Sequence, residues 1–159
     1  MKYFKILIAI AICQSAGLLG TLFTMEAIPT WYATLNKPSF NPPGWIFGPV
    51  WTLLYALMGY SLYRVWTHGW KSKNVILALS AFAVQLFLNA WWSVIFFGMR
   101  NPEWALVEIV VMWMFIVFTV LSFYKVDKLA AWLLVPYLAW VTFAAYLNYT
   151  IWTLNMVYL

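Results

Sequence analysis

Charged residues in this chain stand almost entirely at the borders of long apolar runs. No charge occurs from Ile6 to Met25, from Pro38 to Tyr63, from Asn74 to Met99, or from Leu129 onward. A further hydrophobic stretch, Trp104 to Tyr124, is interrupted only by Glu108. A helix that crosses the hydrocarbon core of a bilayer needs about 20 mostly apolar residues, and each run meets that requirement. The runs are continuous rather than alternating with period two, which argues against membrane strands. The chain therefore reads as an all-α integral membrane protein, a five-transmembrane-helix bundle forming a single membrane domain over 1–159. The helices are expected near 5–25, 45–66, 75–97, 104–124 and 129–152, with a long structured loop over 26–44. Pro136 should kink the last of them.

Composition removes most other classes. Only 8% of residues are charged and 66% are hydrophobic, against about 25% and about 45–50% in soluble domains. A single cysteine, Cys13, excludes an internal disulfide and a multi-cysteine metal site. A single histidine, His68, excludes a histidine-rich centre. The nine basic residues are scattered between apolar runs and form no phosphate-tracking stripe, so nucleic acid is not an expected partner. Their distribution orients the chain instead. Lys2, Lys5, Arg64, Lys71, Lys73, Lys125 and Lys128 fall on one side and only Lys37 and Arg100 on the other. In a plasma or inner membrane this places the N-terminus in the cytoplasm; an outer membrane would weaken that argument. Lys2 and Lys5 before an apolar run also resemble a signal peptide, but Gln14-Ser15-Ala16 is a poor cleavage match and the run continues to spanning length.

The loop over 26–44 holds Pro29, Pro38, Pro42 and Pro43 and a short helix around Thr30–Asn36, with Thr30 as its cap. Trp31, Tyr32 and Phe40 would be costly to leave in water, so the loop should fold back over the bundle. Two readings follow: a gate that swings over a pocket mouth, or a static cap that shields aromatic surface.

Aromatic residues number 12 Trp, 12 Phe and 10 Tyr. Interfacial belts absorb part of that number. Trp51, Trp91, Trp92, Trp113 and Trp140 lie within or near the spans and point to an aromatic-lined cavity for a large flat ligand. Gln85 and Asn89, four apart, share a helix face, and Asn148 lies in the fifth span. Such amides bond helices together or orient a ligand at a pocket wall. Glu108 is either functional, as acidic groups at bilayer depth are by default, or snorkels to the nearby interface. No Ser/His/acid set and no phosphate loop is present. Ala78, Ala81 and Gln85 form a stripe that fits a dimer contact or packing within one bundle.

Trp31-Tyr32, Leu35-Asn36-Lys37-Pro38, Asn41-Pro42-Pro43 and Val50-Trp51-Thr52-Leu53-Leu54-Tyr55 open a series of blocks. It continues through Gln85-Leu86, Asn89, Phe96-Phe97-Gly98 and Trp104-Ala105-Leu106-Val107-Glu108 to Pro136-Tyr137-Leu138-Ala139-Trp140 and Leu147-Asn148-Tyr149. In this order, over nearly the whole chain, they resemble the translocator proteins, also called tryptophan-rich sensory proteins or peripheral benzodiazepine receptors. The resemblance suggests a bacterial member. It implies a five-helix bundle, usually a homodimer, with a ligand pocket beneath the first loop. Pocket positions by that resemblance are Tyr32, Trp51, Gln85, Asn89, Trp140, Ala144 and Leu147. The implied ligands are protoporphyrin IX and haem, bound without being permanent cofactors, and isoquinoline or benzodiazepine-type molecules. Animal members follow the Leu-Asn-Tyr block with a Trp-Arg pair that completes a sterol motif. Here Trp152 precedes Thr153, which puts sterol binding in doubt.

The leading expectation is a porphyrin-binding protein for transport, scavenging or stress-linked regulation, with propionates near Lys37. The alternatives are a light-dependent porphyrin-degrading enzyme acting through Trp51 and Trp140, or a ligand-responsive sensor acting on a partner.

Overall fold

A computed structural model describes residues 2–156 of the chain; residue 1 and residues 157–159 lie outside the described residues. The helices are α1 (Lys2–Ala27), α2 (Trp31–Thr34), α3 (Gly44–Trp66), α4 (Lys73–Ser93), α5 (Pro102–Tyr124), α6 (Lys128–Leu133) and α7 (Val135–Asn155). A wide π-helical turn, Val94–Gly98, continues α4. Five stretches among the described residues are long and apolar enough to cross a membrane: α1, α3, α4 with its wide turn, α5, and α6 with α7. The five expected spans correspond to these one by one.

Their boundaries have local causes. Asn101 and Asp127 each cap the helix that follows, accepting from the backbone N–H of Trp104 and Ala130 at 3.0 Å. Pro102 fills the first turn of α5, where no N–H is needed. Pro136 has no N–H to continue the ladder and its ring crowds the preceding turn. The last span accordingly breaks at Leu134, between α6 and α7. Pro42 and Pro43 keep the approach to α3 extended, with Pro43 at φ −55°, ψ 139°.

Thr30 does not cap α2 as expected. Its hydroxyl donates back to the Glu26 carbonyl at 2.6 Å, so it closes the end of α1, and α2 is limited to one turn.

Small residues set the packing. The buried face of α1 consists of Ala9, Cys13, Ala16, Gly20 and Ala27, which lets neighbouring backbones approach. A Cβ on Gly59 of α3 would stand 2.5 Å from the Ile10 Cα, so α1 and α3 touch main chain to main chain there. Ala78, Ala81 and Gln85 are all buried within the one chain. That stripe is therefore consumed by packing inside the bundle and offers no dimer contact.

At the end of the bundle away from the long loop, Arg64 pairs with Asp127 at 2.8 Å, and His68 approaches the same carboxylate oxygen at 3.5 Å. The Ser61 hydroxyl donates to the Ala130 carbonyl at 2.6 Å. These contacts hold the α3 terminus against the turn between α5 and α6.

Candidate ligand-binding cavity

The half of the bundle nearest the long loop encloses a cavity of about 420 Å³, within the range of about 300–1,000 Å³ typical of small-molecule sites. Tyr55, Asn89, Ile109, Met112 and Val141 form its deep end. Phe47, Trp51, Trp92, Trp140, Ala144 and Leu147 wall it, and Tyr32, Phe96 and Phe97 lie towards the loop. The wide turn at the end of α4 brings Phe96 and Phe97 together, their centroids 4.8 Å apart, with Trp92 stacked on Phe96 at 4.9 Å. Tyr32 packs on Phe97 at 5.7 Å, which anchors the loop to this aromatic cluster.

The amides mostly join helices. Tyr55 donates its hydroxyl hydrogen to Asn89 Oδ1. Asn89 Nδ2 donates to the Tyr137 oxygen at 3.1 Å, and Tyr137 in turn donates to Gln85 Oε1 at 2.9 Å. The network ties α3, α4 and α7. Asn148 accepts from Trp92 Nε1 at 3.2 Å and donates to the Pro102 carbonyl at 2.8 Å. Of the two roles weighed for these amides, interhelical bonding accounts for the observed contacts.

Six of the residues expected at the pocket, Tyr32, Trp51, Asn89, Trp140, Ala144 and Leu147, line this cavity. Gln85 does not. Its side chain is only 1% exposed and meets Tyr137, and its Nε2 has no partner among the described residues. Spacing put Gln85 and Asn89 on one face correctly, but the cavity ends at Asn89. Trp91 faces outward, and Trp113 donates to Thr142 at 2.8 Å away from the cavity.

Glu108 does not snorkel. It is 8% exposed, and neither carboxyl oxygen has a hydrogen-bond partner among the described residues. Helical phase explains this. Glu108 lies beside Ile109 and one turn from Met112, both buried on the inward face of α5.

Lys37 is likewise not a free cation at the mouth. Its ammonium donates to the carbonyls of Tyr32 at 2.7 Å, Leu35 at 2.8 Å and Ala33 at 3.3 Å. It also lies 5.0 Å from the Tyr32 ring centroid. These donors satisfy the exposed carbonyls at the end of α2, the favoured place for a cation. The Tyr32 hydroxyl donates to Asn41 Oδ1 at 2.8 Å. Burial pushes its pKa up to about 12, outweighing the opposing effect of that bond, so it stays a donor at neutral pH.

One wall of the cavity lies outside the positions expected from sequence. Gly17, Leu18, Thr21 and Thr24 of α1 and Gly48 of α3 also line the cavity. Glycine on two spans was the available signal.

The model of the TspO/MBR family matches residues 9–153. The chain belongs to the TspO/MBR family. It is 50% identical over 148 residues to the tryptophan-rich protein TspO of Chlorobaculum tepidum, covering 93% of this chain and 94% of that protein. It is 42% identical over 142 residues to the translocator protein of Bos taurus, covering 89% and 84%. It is 37% identical over 155 residues to the tryptophan-rich sensory protein of Cereibacter sphaeroides, covering 98% and 94%. In TspO/MBR terms the cavity lies beneath the first loop, within the matched region.

Proposed function

We propose that this TspO/MBR chain reversibly binds porphyrins in the aromatic cavity and takes part in their scavenging, transport or stress-linked regulation. The observation that carries the reading is the convergence of flat side chains from three helices, Phe47 and Trp51 of α3, Trp92 of α4 and Trp140 of α7, on one apolar space. Planar macrocycles gain from stacking on such rings. The indole N–H groups of Trp51 and Trp140 make no hydrogen bond among the described residues and are available to a ligand acceptor.

Haem and protoporphyrin IX are not equivalent tests of this site. The lining contains no histidine or cysteine, and His68 is at the opposite end of the bundle. The site therefore suits the macrocycle rather than an iron held by such an axial ligand, and metal-free protoporphyrin IX should bind at least as well as haem. Isoquinoline and benzodiazepine-type molecules, also flat and largely apolar, suit the same space.

Titration of the purified protein with protoporphyrin IX tests the reading through tryptophan emission. Saturable quenching at micromolar ligand is expected, weakened in Trp140→Ala and competed by an isoquinoline ligand. Non-saturable quenching, unchanged in Trp140→Ala, refutes it.

A further inference from the structure

The cavity is not closed on all sides, and the exposure of its lining tells where it opens. Lining residues from α4, α5 and α7 are buried or half-buried. Those that are exposed belong to α1, the turn after it, or the first half of α3. Leu18 is 67% and Met25 71% exposed, and Thr21, Gly44, Gly48 and Thr52 are exposed as well.

α1 and α3 pack closely along part of their length and leave open space at the start of α3. At Gly59 and Ile10 their backbones touch. About one turn further along α1 and two along α3, the Gln14 side chain donates to the Thr52 carbonyl at 3.0 Å and bridges them. Beyond that bridge a Cβ on Gly48 or Gly44 would meet nothing within 4 Å. The opening runs from Gly44 at the start of α3 to Thr52, a depth of about 12 Å at 1.5 Å per residue. It therefore faces lipid rather than water over much of its length.

The other route is barred. Asn155 on α7 bonds both the N–H and the C=O of Asn36 in the loop, at 2.9 Å each. Tyr32 is fixed to Asn41, and Trp31 and Tyr32 pack on Phe96. Lifting the loop requires these to break together.

We propose that ligands reach the cavity sideways from the hydrocarbon phase, through the slot between α1 and α3, and not past the first loop. The rim suits an apolar, flat molecule. The hydroxyls of Thr21 and Thr52 are spent on the carbonyls of Gly17 and Gly48, both at 2.9 Å, so the threonines turn no free donor toward the passage. Glycine at 44 and 48 supplies the width. The identity of the ligand rests on the porphyrin reading; the route does not.

The test reconstitutes the full chain in phosphatidylcholine vesicles. Protoporphyrin IX is supplied from a second vesicle population, and association and dissociation are followed by stopped flow. Gly48→Leu adds bulk where a Cβ meets open space, so the fold should hold, and Gly44→Leu serves as a second plug. Narrowing a portal slows association and dissociation together, here by about tenfold, whereas a weaker grip on the ligand within the site shows mainly in faster dissociation. The opposite pattern, Gly48→Leu without effect on either rate while Asn155→Ala accelerates both, overturns the proposal in favour of the loop. In a parallel arm without porphyrin, lipids brominated at mid-chain quench the cavity indoles. Gly48→Leu should reduce the portion of quenching that Trp51→Phe removes. An unchanged portion overturns the route even if porphyrin proves not to bind.

Discussion

Asn155 and Asn36, 119 positions apart in sequence, are joined by two hydrogen bonds of 2.9 Å between the Asn155 side chain and the backbone N–H and C=O of Asn36. A third bond, from Asn155 Nδ2 to the Ile151 carbonyl at 2.7 Å, fixes the rotamer. The clasp is part-buried and ties the first loop to the end of α7. Asn155→Ala strands the peptide groups of Asn36, at a cost of about 1–3 kcal/mol if they stay buried. Protease nicking between Asn36 and Pro43 should rise sharply, with a modest fall in melting temperature. A loop that stays equally resistant would show that the aromatic contacts alone suffice to hold it.

Tyr137 sits at the centre of the polar chain, bonded to Asn89 and Gln85 at once. Removing its hydroxyl in Tyr137→Phe leaves an amide hydrogen and an amide oxygen without partners inside the bundle. The expected loss is about 1–3 kcal/mol, read as a lower unfolding midpoint in detergent. Because Tyr137 is not part of the cavity wall, porphyrin affinity should change less than in Trp140→Ala. A variant as stable as wild type would mean that the two amides find each other or water.

Much of this architecture was legible in the sequence. Charge-free runs located the spans because every border but the C-terminal end of the last span carries a Lys, Arg, Glu or Asp, and Pro136 marked the break before α7. The wall residues Trp51, Asn89 and Trp140 were legible as polar or indole groups at bilayer depth. What periodicity cannot supply is depth along a helix and rotation against neighbours. Gln85 and Asn89 share a face, yet only the second reaches the cavity. The face of α1 stayed hidden because Gly17, Leu18 and Thr21 look like any lipid-facing segment. Lys37 looked like a mouth charge because a single turn of helix behind it, whose carbonyls it satisfies, leaves little periodic trace.

Glu108 offers a test with an unusual sign. Its two carboxyl oxygens are buried without a donor among the described residues, so the group costs desolvation without return. Glu108→Met keeps similar bulk and removes the polar atoms. Replacing unsatisfied buried groups by apolar ones of like shape is neutral to stabilising, and a gain of about 1–3 kcal/mol is expected. Thermal unfolding in detergent should show a raised midpoint. A lowered midpoint would reveal a partner for the carboxyl and return it to the functional candidates.

Acid should loosen the opposite end of the bundle first. Burial works to raise the Asp127 pKa, but the hydrogen bond from Arg64 and the Ala130 N–H outweigh it and leave the carboxyl below its usual value. A depressed folded value means the stabilisation is fully present above the unfolded value, about 4. It is lost as the pH falls through the lower folded value. The wild-type midpoint should therefore drop more steeply than that of Asp127→Asn, which keeps a capping oxygen, as the pH is lowered below about 4. Parallel curves for the two proteins would place the acid response elsewhere.

Lys37 allows the reading of the mouth to be decided by ligand chemistry. Were its ammonium a receptor for propionates, protoporphyrin IX would bind better than its dimethyl ester, and Lys37→Met would erase the difference. In the structure that ammonium is committed to the carbonyls of Tyr32, Ala33 and Leu35. Freeing it for a carboxylate would expose those acceptors and leave α2 without its terminal cation. Lys37→Met should therefore leave the ratio of acid to ester affinities where it stands in wild type. Its effect should fall on the loop, with faster amide exchange at Leu35 and Asn36 and a destabilisation of about 0.5–1.5 kcal/mol from the missing bonds. Titrating both porphyrins into both proteins measures the ratio directly. A ratio that collapses in Lys37→Met would show that the lysine leaves its carbonyls when ligand arrives, and the cap would then have to move with it.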